Sequence, residues 1–229
     1  MSDAEFDRFA DEYHKLHARN ISLSGEEPAY FAEYKAKDAA RWSGNGVPCR
    51  ALLDFGSGIG NSLPYLNRYF PRHRLVALDV SDRCLDISRS RFGNLAEFLH
   101  FDGLRIPCPD GTFGLAFAAC VFHHIEPSQR PHMLSELFRV LAPGGWLILH
   151  EHNPWNPLTV RAVNDCPLDE NAELISARKL RRQILSAGFT SAEIRYRIFF
   201  PSWLSAFRPL EKALTWLPLG AQYGLCCRK

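Results

Sequence analysis

Apolar residues recur along this chain in two alternating patterns. Short unbroken runs have the length of buried strands, and stripes at three- and four-residue steps mark helices. The runs are Ala51-Leu52-Leu53, RLVALDV at 74–80, AEFLHFDG at 96–103, GLAFAACVF at 114–122 and WLILHEH at 146–152. Between them lie Ile59, Leu63, Leu66 and Phe70; then Leu85 and Ile87 behind a Ser81-Asp82 cap; then Met133, Leu134, Leu137, Phe138 and Leu141. Successive strand–helix units predict a parallel sheet with right-handed crossovers. A helix follows over 176–187, closed by Gly188, with a sixth strand in GFTSAEIRYRIFF and a seventh in AQYGLCCRK. Residues 153–175 are rich in proline and asparagine and read as a long loop. Residues 1–46 read as two helical pieces, broken at Ser24-Gly25 and ended by Ser43-Gly44-Asn45-Gly46.

Composition narrows the class. A hydrophobic content of 46% over 229 residues supports one large α/β domain. A net charge of +2 with scattered basic residues gives no footprint for a polyanion, so nucleic acid is disfavoured as a partner. Seven cysteines without a CxxC pair argue against a disulfide framework and for a reducing compartment. The opening MSDAEFDRFADEY is charged and lacks a signal-peptide core. No apolar run approaches the roughly 18 residues of a spanning helix. The expectation is a cytoplasmic protein without stable membrane insertion.

The chemistry gathers around ALLDFGSGIG, residues 51–60. A strand, a glycine turn and a helix bring bare backbone close to a ligand. The spacing is GxGxG, with Asn61 where a dinucleotide fingerprint places its third glycine. Asp79 ends the second strand about twenty residues beyond the loop, where an acid can accept from a ribose diol. Ser81 already supplies the helix cap, which leaves Asp79 available for that role.

DFGSGIG resembles the first motif of class I S-adenosylmethionine-dependent methyltransferases. The resemblance continues through Asp79, Asp102 after the third strand, GLAFAACVF and RVLAPGGWLIL, in order over about residues 50–198. Gly114 stands where the fourth motif usually has Asp, at the strand end away from the cofactor. The resemblance implies a Rossmann-like seven-stranded sheet, mostly parallel with the last strand antiparallel and helices on both faces. It implies S-adenosyl-L-methionine as cofactor, held by Asp54, Gly56, Ser57, Gly58, Gly60, Asn61, Asp79, Val80, Asp102, Gly103 and Cys120. Asp102 would accept from the adenine amino group. FDRFADEYHKLH looks like the family's helical lid, with Tyr13 as a candidate lid residue. On this reading the chain is one domain: a lid over 1–46, a core over 47–198 and an aromatic insertion over 199–220.

Methyl transfer needs positioning and exclusion of water, plus a base where the acceptor loses a proton. His123, His124, His150 and His152 cluster at the carboxyl ends of the fourth and fifth strands, with Glu151 among them. Alternation places His150 and His152 on one strand face and Glu151 on the other, a poor match to convergent ligands, so no metal is assigned. The histidines are either buried hydrogen-bonded groups or a source of the base. His123 or His124 is the first choice for that base and His152 the next.

Asn153-Pro154-Trp155 resembles the (D/N)PP(Y/F/W) motif of amino-methylating nucleic-acid enzymes, but it lacks the second proline and follows the wrong strand. It reads as an acceptor-facing loop. The insertion carries Trp203, Phe207, Leu210, Leu214 and Leu217 around Pro209. It is expected over or beside the acceptor cavity, with extra core or a homodimer contact as competing roles. The expected acceptor is a small molecule, lipid or sugar, with a hydrophobic one allowed for. A nicotinamide-dependent oxidoreductase and a non-catalytic cofactor-binding scaffold are the rival functions.

Overall fold

The computed structural model describes residues 21, 24–44 and 46–229. Tyr13 and the first helical piece lie outside the described residues. The first described helix, α1 (Pro28–Ser43), starts on a proline, whose fixed φ suits the first turn. Seven strands follow: β1 (Ala51–Phe55), β2 (Arg74–Asp79), β3 (Glu97–His100), β4 (Phe113–Ala119), β5 (Leu141–His152), β6 (Ser191–Arg197) and β7 (Gln222–Arg228). They form one sheet in the order β3-β2-β1-β4-β5-β7-β6. The first five strands run parallel, and β7 lies antiparallel between β5 and β6. The expected mixed seven-stranded sheet is therefore present. All five residues of β1 are buried, as are Leu75–Asp79 of β2, because helices cover both faces.

The remaining helices are α2 (Leu63–Tyr69), α3 (Asp82–Phe92), α4 (Arg130–Val140), α5 (Pro157–Asn164), α6 (Ala177–Ser186) and the short α7 (Glu211–Leu214). Ala36 and Ala39 of α1 pack with Leu66 of α2 and with Leu52, Phe117 and Ile148 on one sheet face. Met133, Leu134 and Leu137 of α4 pack with Leu180 and Ile184 of α6 on the other. Arg197 fastens β6 to α1 by donating through two nitrogens to buried Asp38, at 2.6 and 3.1 Å. The strand order reverses between β1 and β4, which opens a crevice at the carboxyl ends of the strands.

Two sequence expectations need correction. Residues 153–175 are not one loop: α5 starts at Pro157, and the Asn156 side chain accepts from the Thr159 N–H, a cap signal masked by the proline-rich composition. A 3₁₀ turn at Pro167–Asp169 follows. The fourth strand ends at Ala119, next to Cys120 as expected, because Cys120 takes φ +61° and turns the chain. The insertion does not cap the cavity, since none of residues 199–220 lines the cleft described below. Glu211 accepts from the Phe199 and Phe200 N–H groups and folds the insertion back on itself. Arg208 then ties it to Glu26 and lies over the Tyr30 ring. Trp203 and Trp216 are left about three-quarters exposed, at 75% and 73%.

Candidate functional site

The cleft begins at the loop after β1. The Gly56 and Ser57 N–H groups donate to the Leu78 carbonyl at 2.8 and 3.1 Å, which stitches the loop to the end of β2. Gly56 has φ +68°, and a Cβ there would sit 2.6 Å from Val121. Gly58 has φ +52° and faces open space on the cleft side, so its backbone is bare to a ligand. Its N–H donates to Asp79 Oδ2 at 2.7 Å, while the Ser81 N–H donates to Asp79 Oδ1 at 3.0 Å. Two backbone amides thus aim the carboxylate. Burial still raises the Asp79 pKa, with those amides opposing it.

Asp54, one strand over, is buried, and burial together with Asp79 pushes its carboxyl up to about 8. Among the described residues, buried Asp54 Oδ2 and Ser57 Oγ have no hydrogen-bond partner, and both residues line the cleft. Asn61 and Val80 line it as well, and Phe101 adds an aromatic wall. Three expected residues stand back from it. Gly60 packs against Ser88, and Asp102 and Gly103 do not line the cleft. Asp102 is exposed and accepts from the Leu104 and Arg105 N–H groups at 2.8 and 2.9 Å. Those bonds hold its pKa below the ordinary value.

From above, α1 contributes Phe31, Ala32 and Lys35. Lys35 Nζ donates to Cys120 Sγ at 3.1 Å. Burial alone would raise the Cys120 thiol, but Lys35 and His152 overcome it and bring it down to about 6. Cys120 is therefore largely thiolate at neutral pH. Gln222 at the start of β7 accepts from the Tyr34 hydroxyl and also lines the cleft.

The four histidines divide. His150 lies under α1, stacked on Trp42 at 5.3 Å between centroids, and burial lowers its pKa. It is a packed core group. Glu151, on the opposite strand face as alternation requires, accepts from the Val121 and Phe122 N–H groups at 2.9 and 2.7 Å. Its second oxygen meets His123 Nδ1 at 2.6 Å. Burial would lower the His123 pKa, yet Glu151 and Asp169 raise it to about 10. Glu151 is held at about 2 against its own burial, chiefly by His123.

Asp169, on the 3₁₀ turn, places Oδ1 3.4 Å from both His123 Nε2 and His124 Nε2. The ligand atoms of His123, His124 and Asp169 lie within 4.8 Å of one another. Burial and the neighbouring His123 push His124 down to about 3. His152, the last residue of β5, lines the cleft, with its ring 5.1 Å from that of His123.

The structure thus gathers His123, His124, His152, Cys120, Asp79, Asp54 and the glycine loop around one cleft. Lys35, Asp169, Phe101 and Gln222 also reach it, and sequence reasoning did not single them out. Glu151 stands between His150 and His152 in the sequence, with nothing local to give it a role. No local signal marks Lys35 or Gln222, which arrive from α1 and β7.

Residues 52–145 match a family model described as a methyltransferase domain. A demethylmenaquinone methyltransferase of Thermus thermophilus is 33% identical over 108 residues, covering 46% of this chain and 48% of that protein. A fatty-acid O-methyltransferase of Mycolicibacterium smegmatis is 29% identical over 143 residues, covering 61% and 50%. The chain spans about half the length of the curated relatives it matches. A SAM-dependent methyltransferase of Thermotoga maritima has the same fold, with a TM-score of 0.71, 20% identity and full coverage of both chains. Among the described residues, no helix is long and apolar enough to cross a membrane.

Proposed function

We propose that this chain, which belongs to the class I S-adenosylmethionine-dependent methyltransferases, transfers a methyl group to a small acceptor with an apolar part. One observation carries the reading: the glycine loop with Asp79 and the histidine cluster line a single cleft. The relatives named for demethylmenaquinone and for fatty acids support the acceptor class. So do Ile21, Phe31 and Leu168 on the cleft wall. We read the chain as one domain, with α1 and the residues before it as lid, 47–198 as core and 199–220 as an accessory insertion.

The residues present fit the cofactor. Asp79, oriented by Gly58 and Ser81, suits the ribose hydroxyls. Asp54 Oδ2 and Ser57 Oγ, buried and unpartnered among the described residues, suit the ammonium end. These residues would hold S-adenosylmethionine, which would supply a sulfonium methyl for the acceptor atom and leave as S-adenosylhomocysteine. The protein's share is to align the pair under α1 and keep water out.

For an acceptor that loses a proton, His152 is the base. His123 is held as a cation between Glu151 and Asp169, and His124 is too weakly basic, so neither takes up a proton near neutral pH. His152 lines the cleft beside Cys120, at the carboxyl end of β5, where it can accept the acceptor's proton. Calorimetry with S-adenosylhomocysteine and with NAD tests the cofactor reading. Binding of the first alone is expected; binding of NAD alone, or of neither, overturns it.

A further inference from the structure

We propose that His123, His124 and Asp169 form a site for one divalent transition-metal ion of the zinc class, with an open coordination position facing the cleft. Asp169 Oδ1 lies 3.4 Å from each of two imidazole nitrogens, His123 Nε2 and His124 Nε2. Both distances exceed the usual N–H···O range of about 2.7–3.2 Å. They match the edge of a tetrahedron around an ion bonded at roughly 2.1 Å, which is about 3.4 Å. The ligand set is two imidazoles and one carboxylate, and it leaves at least one position unfilled. All three residues line the cleft, so that position opens toward it.

A support shell is already in place. Glu151 bonds His123 Nδ1 at 2.6 Å and is fixed through its other oxygen by the Val121 and Phe122 N–H groups. A carboxylate on the far nitrogen orients an imidazole ligand and fixes its tautomer. The three ligands come from a turn after β4 and the 3₁₀ turn after α5, which are stitched together where the Glu173 N–H donates to the His123 carbonyl at 2.8 Å. Ligation leaves the Nδ1 proton directed at Glu151, and any Nε2 proton goes to solvent. The ion would bind and polarise an acceptor oxygen beside His152; that use rests on the methyl-transfer reading, whereas binding of the ion does not.

The test is a cobalt(II) titration of the metal-stripped full chain, without cofactor, read by visible d–d absorption. The expected result is intense low-coordinate bands that saturate at one ion per chain and are displaced by zinc. Asp169→Asn and His124→Gln should each abolish the bands, and His132→Gln, on the exposed face of α4, should leave them intact. Circular dichroism and melting establish folding for each variant. Wild-type protein without saturable bands, or bands that survive both substitutions, overturns the proposal. Separate calorimetry with S-adenosylhomocysteine keeps failure of the metal site distinct from failure of the cofactor reading.

Discussion

The backbone N–H of Gly58 donates to Asp79 Oδ2 at 2.7 Å, so the bare turn after β1 and the acid ending β2 are one unit. A ligand lying on the loop meets the carboxylate in a fixed orientation. Charge-assisted hydrogen bonds contribute about 1.5–3 kcal/mol. Asp79→Asn should therefore weaken S-adenosylhomocysteine binding about tenfold or more, measured by calorimetry on protein shown to be folded. Unchanged affinity would leave Asp79 as a brace for the loop alone.

Asp54 makes the cofactor-free protein less stable as pH rises. Its pKa goes from an ordinary value of 3.8 to about 8 in the fold, through burial and then Asp79. Between those values the folded state keeps a proton that the unfolded chain has released, so stability falls with increasing pH. Denaturant midpoints taken across this window should fall in the wild type and flatten in Asp54→Asn. The same variant should bind S-adenosylhomocysteine more weakly. A slope unaffected by the substitution would mean that Asp54 is ionised in the fold.

Residues that act through neighbours in sequence were legible; those that converge from afar were not. Gly56, Gly58, Asp79 and the Ser81 cap follow from spacing within one strand–turn–helix unit, and the structure places them as that spacing requires. Alternation also separates Glu151 from His150, yet it does not say that Glu151 orients His123 across the turn after β4. Asp169 was hidden because proline-rich composition outweighed the Asn156-Pro157 start of α5. Lys35 reaches Cys120 from 85 positions away, a contact that only tertiary packing creates.

Lys35 sets the reactivity of Cys120. Alkylation by iodoacetamide should show a midpoint near about 6, since the ammonium and His152 lower the thiol against burial. Lys35→Met removes the ammonium and should move the midpoint up. The pH profile of the alkylation rate is the measurement. Identical profiles for wild type and variant would separate the thiol from Lys35.

Asp38 and Arg197 hold α1 to the sheet edge. Asp38 is buried at 4% exposure, so Arg197→Ala strands a carboxylate in the interior. Breaking a buried pair in this way costs about 3–5 kcal/mol, and the partial exposure of Arg197 points to the lower end. Urea denaturation should show the loss. Because α1 also carries Lys35, the same variant should raise the Cys120 alkylation midpoint. A stability loss without that shift would show that α1 keeps its seat without Arg197.

His152 and His123 should fail in different ways. His152→Gln removes the base and, for an acceptor that loses a proton, should cut turnover by about 10²–10⁴-fold with cofactor affinity nearly unchanged. His123→Gln instead leaves Glu151 and Asp169 without the cation between them, and its main effect is on stability. The sign with pH follows from the raised pKa. The His123 contribution is fully present below the ordinary value of 6.5 and is lost as pH rises through about 10. The stability gap between wild type and His123→Gln should accordingly shrink toward alkaline pH. Denaturation at neutral and alkaline pH, set beside single-turnover rates for both variants, separates the roles. Lost turnover in His123→Gln at unchanged stability, with His152→Gln fully active, would move the base from His152 to His123.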